Sequence, residues 1–180
     1  MDRIALLRAI NVGGRNTIPM AELKALFAKL GLRGARTLLQ SGNVVFAGDG
    51  RTDAQLEALL ETETEKCFTV RPDYFVRTAK EWQQLVARNP FPRVATDDPS
   101  HLVVMLLKHV PQVKDVAALQ AAIAGPERIK AVGNQAYVTY PAGIGTSKLT
   151  VAMIESKLGT RVTGRNWNTV LKLAALVNGS

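Results

Sequence analysis

Residues 41–46 read SGNVVF and residues 132–137 read VGNQAY, so a Gly-Asn pair followed by an apolar run occurs twice in the chain. A Gly-Asn pair between two strand-like runs is typical of a two-residue hairpin turn. A second echo joins LLRAIN (6–11) to LLKHVP (106–111) in the same order along the chain. These echoes predict that one structural unit is present in two copies.

Periodicity around the first echo predicts one complete βαββαβ unit. Pro19 is typical of the first turn of a helix, and Gly31 is typical of the residue that ends one. The predicted elements are a strand at 3–9, a helix from Pro19 to Leu30, strands at about 35–40 and 43–47, a helix from Asp53 and a strand at 69–77.

The second half of the chain repeats this order after a predicted helix at 79–88. Its predicted elements are a strand at 101–107, a helix at 112–124, strands at 127–132 and 135–140, a helix at 147–158, a strand at 160–164 and a helix at 168–177. The predicted fold is therefore α+β, with two ferredoxin-like βαββαβ pseudo-repeats. We expect mainly antiparallel sheets with helices on one face, in units 1–92 and 99–180 that a proline-rich linker at 89–98 joins.

A third echo pairs the tryptophans of EWQQLV (81–86) and NWNTVL (166–171). We expect Trp82 and Trp167 at equivalent places, each anchoring a helix on its sheet rather than stacking on a ligand. Asn166 or Asn168 can cap the second of these helices. Arg165 is then expected at an exposed strand-to-helix turn, where capping does not explain it.

The chain has 180 residues, a formal net charge of +8 and one cysteine. The basic balance favours an anionic partner such as a nucleotide or nucleic acid, although a merely soluble basic surface explains it equally well. A single cysteine excludes an internal disulfide and suits a reducing cytosol, so a cytoplasmic location is expected. No apolar run is long enough for a membrane helix, and the first residues carry no signal cleavage site. The sequence leaves the oligomeric state open.

The chain resembles the bacterial proteins grouped as domain of unknown function 1697. The segments that carry the resemblance are LLRAINVGGRNTIPM (6–20), LQSGNVVF (39–46), GTSKLT (145–150) and GRNWNTVLKL (164–173). Their order and spacing match over nearly the whole chain. The resemblance implies an α+β fold with two related repeats. That family has no established activity, cofactor or catalytic residue, so no functional residue is carried over.

Topology predicts a polar, glycine-rich edge in the first unit, because the loops after its first and second strands should be neighbours. The first loop has features of an anion cradle, since glycines expose backbone N–H groups and an arginine can bind a phosphate. A flexible connection is the alternative, and the second loop is more typical of a plain turn. The candidate ligand-binding residues here are Asn11, Gly13, Gly14, Arg15, Asn16, Ser41 and Asn43.

The same topology predicts a second basic edge, where the loops after the third and fourth strands of the second unit meet. GIGTSK (143–148) is expected to open a helix that Thr146 or Ser147 caps, and its N–H groups can hold a phosphate. A capped helix with a solvated lysine is the alternative. The candidates at this edge are Thr146, Ser147, Lys148, Arg165, Asn166 and Asn168.

Catalysis has weaker support in the sequence, and no cofactor or metal motif is present. His101 and His109 flank one strand and lack the spacing of metal ligands. We expect their side chains to be hydrogen-bonded or exposed rather than to act as general bases. The glutamates of the helix from Asp53 are expected to form a solvated face. The best prediction is binding of a phosphate-bearing ligand, either a nucleotide or nucleic acid. An enzyme acting on a phosphorylated small molecule and a protein-interaction or structural module are the alternatives.

Overall fold

A computed structural model of the protein describes residues 2–11 and 16–178, and it shows a mixed α+β chain. Its helices and strands follow the predicted order, except that a helix forms in the segment 89–98, which the sequence predicts to be a linker. In chain order they are β1 (Asp2–Leu7), α1 (Met20–Lys29), β2 (Arg36–Leu38), β3 (Asn43–Ala47), α2 (Asp53–Phe68), β4 (Tyr74–Thr78), α3 (Ala79–Ala87), α4 (Pro92–Asp97), β5 (Leu102–Leu107), α5 (Val113–Ala122), β6 (Arg128–Val132), β7 (Gln135–Thr139), α6 (Val151–Leu158), β8 (Val162–Asn166) and α7 (Trp167–Asn178).

Two four-stranded antiparallel sheets confirm the predicted pair of ferredoxin-like repeats. Their strand orders are β2-β3-β1-β4 and β6-β7-β5-β8, so each sheet has the same topology. The chain divides into two compact units, one made of residues 1–84 with 173–180 and the other of residues 85–172. The segment 89–98 carries α4 and belongs to the second unit.

The core of the first unit lies between one face of its sheet and the helices α1 and α2. Leu23 and Phe27 of α1 and Leu56 of α2 are fully buried in this core. The rings of Phe27 and Phe46 meet edge to face, with their centroids 5.1 Å apart. Each such side chain contributes about 1.5–3 kcal/mol through the apolar area that it buries. A capping box formed by Thr52 and Gln55 fixes the start of α2.

The second unit repeats this packing with α5 and α6. Leu119 and Ile154 are fully buried against the sheet, together with Met105. The opposite face of this sheet is also buried, as Val104 and Tyr137 show. Because both faces are buried, the aromatic side chains of the sheet are withdrawn from any nucleic-acid surface.

Carboxylates on helices cover the outer edges of two strands. Glu57 and Glu61 of α2 accept hydrogen bonds from the backbone N–H groups of Val76 (2.7 Å) and Tyr74 (3.0 Å) on the edge strand β4. In the second unit, Glu155 of α6 accepts from the N–H of Val162 on β8 at 2.9 Å. The expectation of a solvated face on α2 is therefore wrong for Glu57 and Glu61. They satisfy strand N–H groups that a free edge would expose.

The register of the strands shows that Trp82 and Trp167 are not at equivalent positions, contrary to the expectation from the sequence. Arg3 pairs with Thr78, and Val103 pairs with Asn166, so Thr78 and Asn166 are equivalent. Trp167 follows Asn166 directly, whereas Trp82 lies one helical turn further from Thr78. Both tryptophans are buried, as expected, but they do not hold the same position in the repeat. The local similarity of the two segments was misleading, because similar residues surround the two tryptophans although their positions in the repeat differ.

The Gly-Asn turns of the two units also differ. Gly133 and Asn134 form a two-residue connection between β6 and β7, as the sequence predicts. In the first unit four residues, Leu39–Gly42, separate β2 from β3, with positive φ angles of 59° at Leu39 and 68° at Gly42. The longer loop uses Gly42 as its final residue, because the left-handed conformation there favours glycine.

Candidate functional site

The loops that form the predicted edge of the first unit are neighbours, as topology requires. The Asn11 side chain donates from Nδ2 to Gln40 O at 2.8 Å and to Ile18 O at 3.0 Å, while its Oδ1 accepts from Ile18 N at 2.8 Å. Asn16 donates from Nδ2 to Ala9 O at 3.2 Å. The bond from Asn11 to Gln40 joins the two loops and the others fix the first loop internally, so Asn11 has little hydrogen-bonding capacity left for a ligand.

Asn43 and Ser41 have structural roles in the same loops. Asn43 is fully buried and donates from Nδ2 to Leu38 O at 2.8 Å and to Ser41 Oγ at 2.9 Å. A ligand cannot reach a side chain with no exposed surface. Three further candidates, Gly13, Gly14 and Arg15, lie outside the described residues.

Arg165 belongs to a strand and is not at an exposed turn. β8 extends through Asn166, two residues beyond the predicted end, so the side chain of Arg165 projects from the sheet. Its Nη1 donates to Gly164 O at 2.8 Å and to Thr163 Oγ1 at 3.2 Å, and burial lowers its pKa to about 10. Asn166 caps α7 by accepting from Thr169 N at 3.0 Å, and Asn168 is exposed. Asn166 is exposed too, but its Oδ1 is used by the cap, so among the described residues Asn168 is the one of this group whose side chain has no structural role.

The loop with Thr146, Ser147 and Lys148 lines a cavity of about 510 Å³ in the second unit. The helix expected at residue 147 begins at Val151 instead, with Thr150 as its cap. Ser147 Oγ donates to the buried carboxylate of Glu127 and accepts from Leu149 N at 3.0 Å. Thr146 Oγ1 donates to Ala142 O at 2.7 Å. These hydroxyl groups fix the loop, which leaves Lys148 facing a cavity that also holds a carboxylate.

A second cavity of the same unit, which we call the histidine cavity, combines unengaged cations with an oriented histidine. It has a volume of about 420 Å³ and adjoins the first at Pro126. Its walls are Phe91, Arg93, Val94, Asp97, Asp98, His101, Pro126, Arg128, Thr139 and Pro141. Most of these residues come from α4, the turn that follows it and the two hairpin strands β6 and β7, and Phe91, Pro126 and Pro141 flank these elements. A concave site with a few convergent polar groups is typical of ligand binding.

Asp98 and His101 form a hydrogen-bonded pair in the wall of the histidine cavity. His101 Nδ1 lies 2.6 Å from Asp98 Oδ2, and Ser100 Oγ donates to the other carboxylate oxygen at 3.1 Å. The single 3-10 turn Pro99–His101 sets the three-residue spacing that brings the two side chains together. The hydrogen bond with His101 lowers the pKa of Asp98 below its usual range. The carboxylate therefore stays ionised and fixes the orientation of the imidazole.

The two arginines of the histidine cavity are exposed and free to bind an anion. Among the described residues, neither Arg93 nor Arg128 uses its guanidinium in a hydrogen bond or an ion pair. Backbone geometry places Arg128 at the start of β6, where its N–H donates to Thr139 Oγ1 at 3.2 Å. Asp97 lies four residues after Arg93 on α4 and is the opposing charge at the rim. Guanidinium groups recognise phosphate and carboxylate through paired hydrogen bonds.

The sequence singles out His101 but does not reveal the rest of this cavity. The signal was present as Asp98-Pro99-Ser100-His101, a proline-led turn that places an acid and a histidine three residues apart. Arg93 lay in the segment expected to be a linker. Arg128 begins a strand about 30 residues later, and no local pattern connects it to His101.

The first unit has a larger cavity of about 630 Å³, which we call the Lys24 cavity. Lys24, Arg33 and Arg36 lie in its wall with Asp2. Arg36 is committed elsewhere, because its Nη2 donates to Leu176 O at 2.8 Å. The remaining lining is mostly apolar and contains no histidine. This cavity is the main rival of the histidine cavity for an anionic ligand.

A buried ionic cluster in the first unit serves the fold. Arg3 Nε lies 2.7 Å from Asp53 Oδ1, and Arg77 Nη1 lies 3.8 Å from Glu57 Oε1. Burial raises the pKa of Asp53, although Arg3 acts against this shift. Burial likewise lowers the pKa of Arg77. The cluster ties the start of α2 to strands β1 and β4, and it borders neither of the named cavities.

Two kinds of feature are absent from residues 2–11 and 16–178. No group of three or more histidine, cysteine, aspartate or glutamate side chains is placed to hold a metal ion. None of the helices in this part of the chain has the length and apolar character that crossing a membrane requires.

Comparison with known proteins identifies the family but no activity. A family model described as "Protein of unknown function (DUF1697)" matches residues 1–137. The structure of a conserved bacterial protein from Streptococcus pneumoniae is similar, with a TM-score of 0.76 and 20% identity over 98% of each chain. A likeness at this identity concerns the fold alone. No curated protein matches the chain. Because the family match covers most of the chain, the protein belongs to the family of proteins of unknown function DUF1697.

Proposed function

We propose that the protein binds a small phosphate-bearing ligand, such as a nucleotide, in the histidine cavity of the second unit. The observation that carries the proposal is that Arg93 and Arg128, both free of internal partners, share one concave wall with His101. A phosphate group can accept hydrogen bonds from each guanidinium. The half-buried ring of Phe91 lies in the same wall, and Lys130 Nζ lies over it, 5.4 Å from the ring centroid.

The geometry favours a small ligand over nucleic acid. The two arginines converge on one cavity, whereas a nucleic acid needs cations spread along a strip of phosphates. Phe46, Tyr137 and Tyr140 are buried, so they offer no exposed surface for stacked bases. A steep loss of affinity with salt concentration would instead favour nucleic acid.

The cavity that holds Lys148 supports binding less well. Its Ser147 and Thr146 hydroxyl groups are engaged within the loop, and its lining contains one cation, Lys148, where the histidine cavity has two arginines. Lys148 thus provides a matched control, because it is an exposed cation in the adjoining cavity of the same unit.

Isothermal titration with inorganic phosphate and adenosine monophosphate tests the proposal. Arg128→Gln should weaken binding by about 10-fold to 100-fold, which corresponds to the loss of one charge-assisted hydrogen bond. Lys148→Gln removes the same charge and should leave the affinity within about twofold. Equal losses in the two variants would show a general charge effect and overturn the assignment of the site.

A further inference from the structure

The ring of His101, which lines the histidine cavity, is hydrogen-bonded through one of its two nitrogens among the described residues. Asp98 accepts the hydrogen bond from Nδ1 at 2.6 Å, and the backbone N–H of His101 also donates to Asp98 O at 3.2 Å. Among the described residues, no hydrogen bond to Nε2 is formed. His101 is therefore fixed at both its backbone and its Nδ1, with Nε2 free to meet a ligand.

This arrangement gives Nε2 the character of a nucleophile. An ionised carboxylate can only accept, so in the neutral ring the hydrogen lies on Nδ1 and the lone pair on Nε2. Histidine in this form can make a covalent bond to an electrophile. Positive charge then develops on the ring, and a carboxylate at Nδ1 stabilises it.

The cations of the cavity suit an electrophile that carries a phosphoryl group. Arg93 and Arg128 line the same cavity as the imidazole. Guanidinium groups stabilise the negative charge on the phosphoryl oxygens as a phosphoryl group is transferred. A nucleophilic nitrogen and two free guanidiniums in one cavity form a set that binding alone does not require.

We propose that His101 is a phosphoryl-accepting residue, whose Nε2 takes the phosphoryl group of a small acyl phosphate that Arg93 and Arg128 hold. This inference rests on the proposed phosphate binding at the same cavity. The Nε2–phosphorus bond forms while the phosphorus–oxygen bond to the acyl group breaks. The electron pair of the broken bond leaves on the carboxylate oxygen of the acyl group. Nδ1 keeps its hydrogen, and Asp98 holds it.

The chain supplies its own control, because it contains two histidines. His109 is exposed beyond the end of β5, and its ring makes no hydrogen bond or ion pair among the described residues. A phosphoryl donor that reacted only according to exposure would label His109 faster than His101, whose side chain is 38% exposed. The ratio of labelling at the two sites within one molecule therefore separates a built site from general reactivity.

The test incubates the full chain with acetyl phosphate and quantifies phosphohistidine at each site by mass spectrometry of peptides kept at alkaline pH. His101 should be labelled at least about tenfold faster than His109. His109→Gln should leave the rate at His101 unchanged. Asp98→Asn should lower that rate to about the rate of His109 while inorganic phosphate still binds, because the variant removes a negative charge from the cavity wall and keeps both arginines. Arg128→Gln should lower both labelling and phosphate binding.

Phosphate titration of the same samples distinguishes the two proposals. Binding of inorganic phosphate at the cavity, with labelling at His101 no faster than at His109, overturns the transfer step and leaves the binding function in place. Absence of both overturns both. Labelling of His101 that Asp98→Asn does not slow also contradicts the inference, because the pair is then irrelevant to the reaction.

Discussion

Arg77 and Arg165 occupy the same position in the two units. Arg77 pairs across the sheet with Ile4, and Arg165 pairs with the equivalent Val104. Each guanidinium donates from Nη1 to the carbonyl of the preceding residue, at 2.7 Å for Arg77 and 2.8 Å for Arg165. An equivalent arginine in both repeats indicates a structural part of the unit rather than a ligand contact specific to one of them.

This equivalence predicts that both arginines stabilise the fold, to different degrees. Arg77→Ala removes a buried cation that lies 3.8 Å from the part-buried Glu57 and should lower the free energy of unfolding by about 3–5 kcal/mol. Arg165→Ala should lower it by about 1–3 kcal/mol through lost hydrogen bonds. Arg161→Ala, which alters a side chain that is 59% exposed, is the control and should change it by less than about 0.5 kcal/mol. Urea denaturation measures all three, and an Arg165→Ala value as small as that of Arg161→Ala would restore the exposed-turn interpretation.

The two Gly-Asn turns should respond differently to a methyl group. A Cβ at Gly42 would lie 2.6 Å from Ile10 Cδ1 and 2.8 Å from Leu7 Cβ, whereas a Cβ at Gly133 would meet no atom within 4 Å. Both residues have a positive φ, so each alanine costs about 1–2 kcal/mol through its backbone. Gly42→Ala should cost about 1–3 kcal/mol more because of overpacking. Equal losses of unfolding free energy in the two variants would show that the loop around Gly42 relaxes freely.

Burial of the three tyrosine side chains should make the protein less stable at alkaline pH. All three are buried, and burial raises the pKa of Tyr137 and Tyr140 to about 12 and that of Tyr74 further. Because the folded pKa lies above the unfolded value of about 10, the stabilisation is complete below pH 10 and declines as pH rises towards 12. The native protein should therefore show almost no tyrosinate absorbance at about pH 10.5, where the urea-unfolded chain is largely ionised. Native absorbance that follows the unfolded curve would contradict the burial of the three hydroxyl groups.

Removing the negative charge of Asp97, at the rim of the histidine cavity, should make the protein bind phosphate more tightly. Asp97 is exposed and faces the histidine cavity, so Asp97→Asn removes the charge that opposes an anion there. The affinity for inorganic phosphate should rise by about twofold to fivefold, as expected for one exposed charge interaction. Glu22→Gln on α1 changes the net charge equally in the first unit and should have no effect. A similar gain in both variants would show that net charge, rather than the cavity, controls binding.

Much of the fold could be predicted from the sequence because it depends on local signals. Pro19, Gly31 and Gly133 mark helix and turn boundaries, and the apolar periodicity of Leu23 and Phe27 identifies a buried helix face. The order of these signals, repeated once, was sufficient for two ferredoxin-like units. The tryptophan echo misled because strand register, which no local pattern reveals, decides equivalence.

The candidate site was harder to predict because polar residues serve several purposes. Asn11 and Asn43 appear as ligand contacts in the sequence, yet each satisfies backbone groups inside a loop. The predicted environment of Arg165 depends on where β8 ends. Because the strand ends two residues later than predicted, Arg165 lies in the sheet and not in a turn. The histidine cavity needs Arg93 and Arg128 from separate elements, so only the folded chain assembles it.

A crystal of the protein soaked in tungstate, a heavy tetrahedral anion that mimics phosphate, would show directly where the protein binds an anion. We expect tungstate density in the histidine cavity, within hydrogen-bonding distance of Arg93 and Arg128 and beside His101 Nε2. Tungstate bound in the Lys24 cavity or beside Lys148, with none in the histidine cavity, would contradict it.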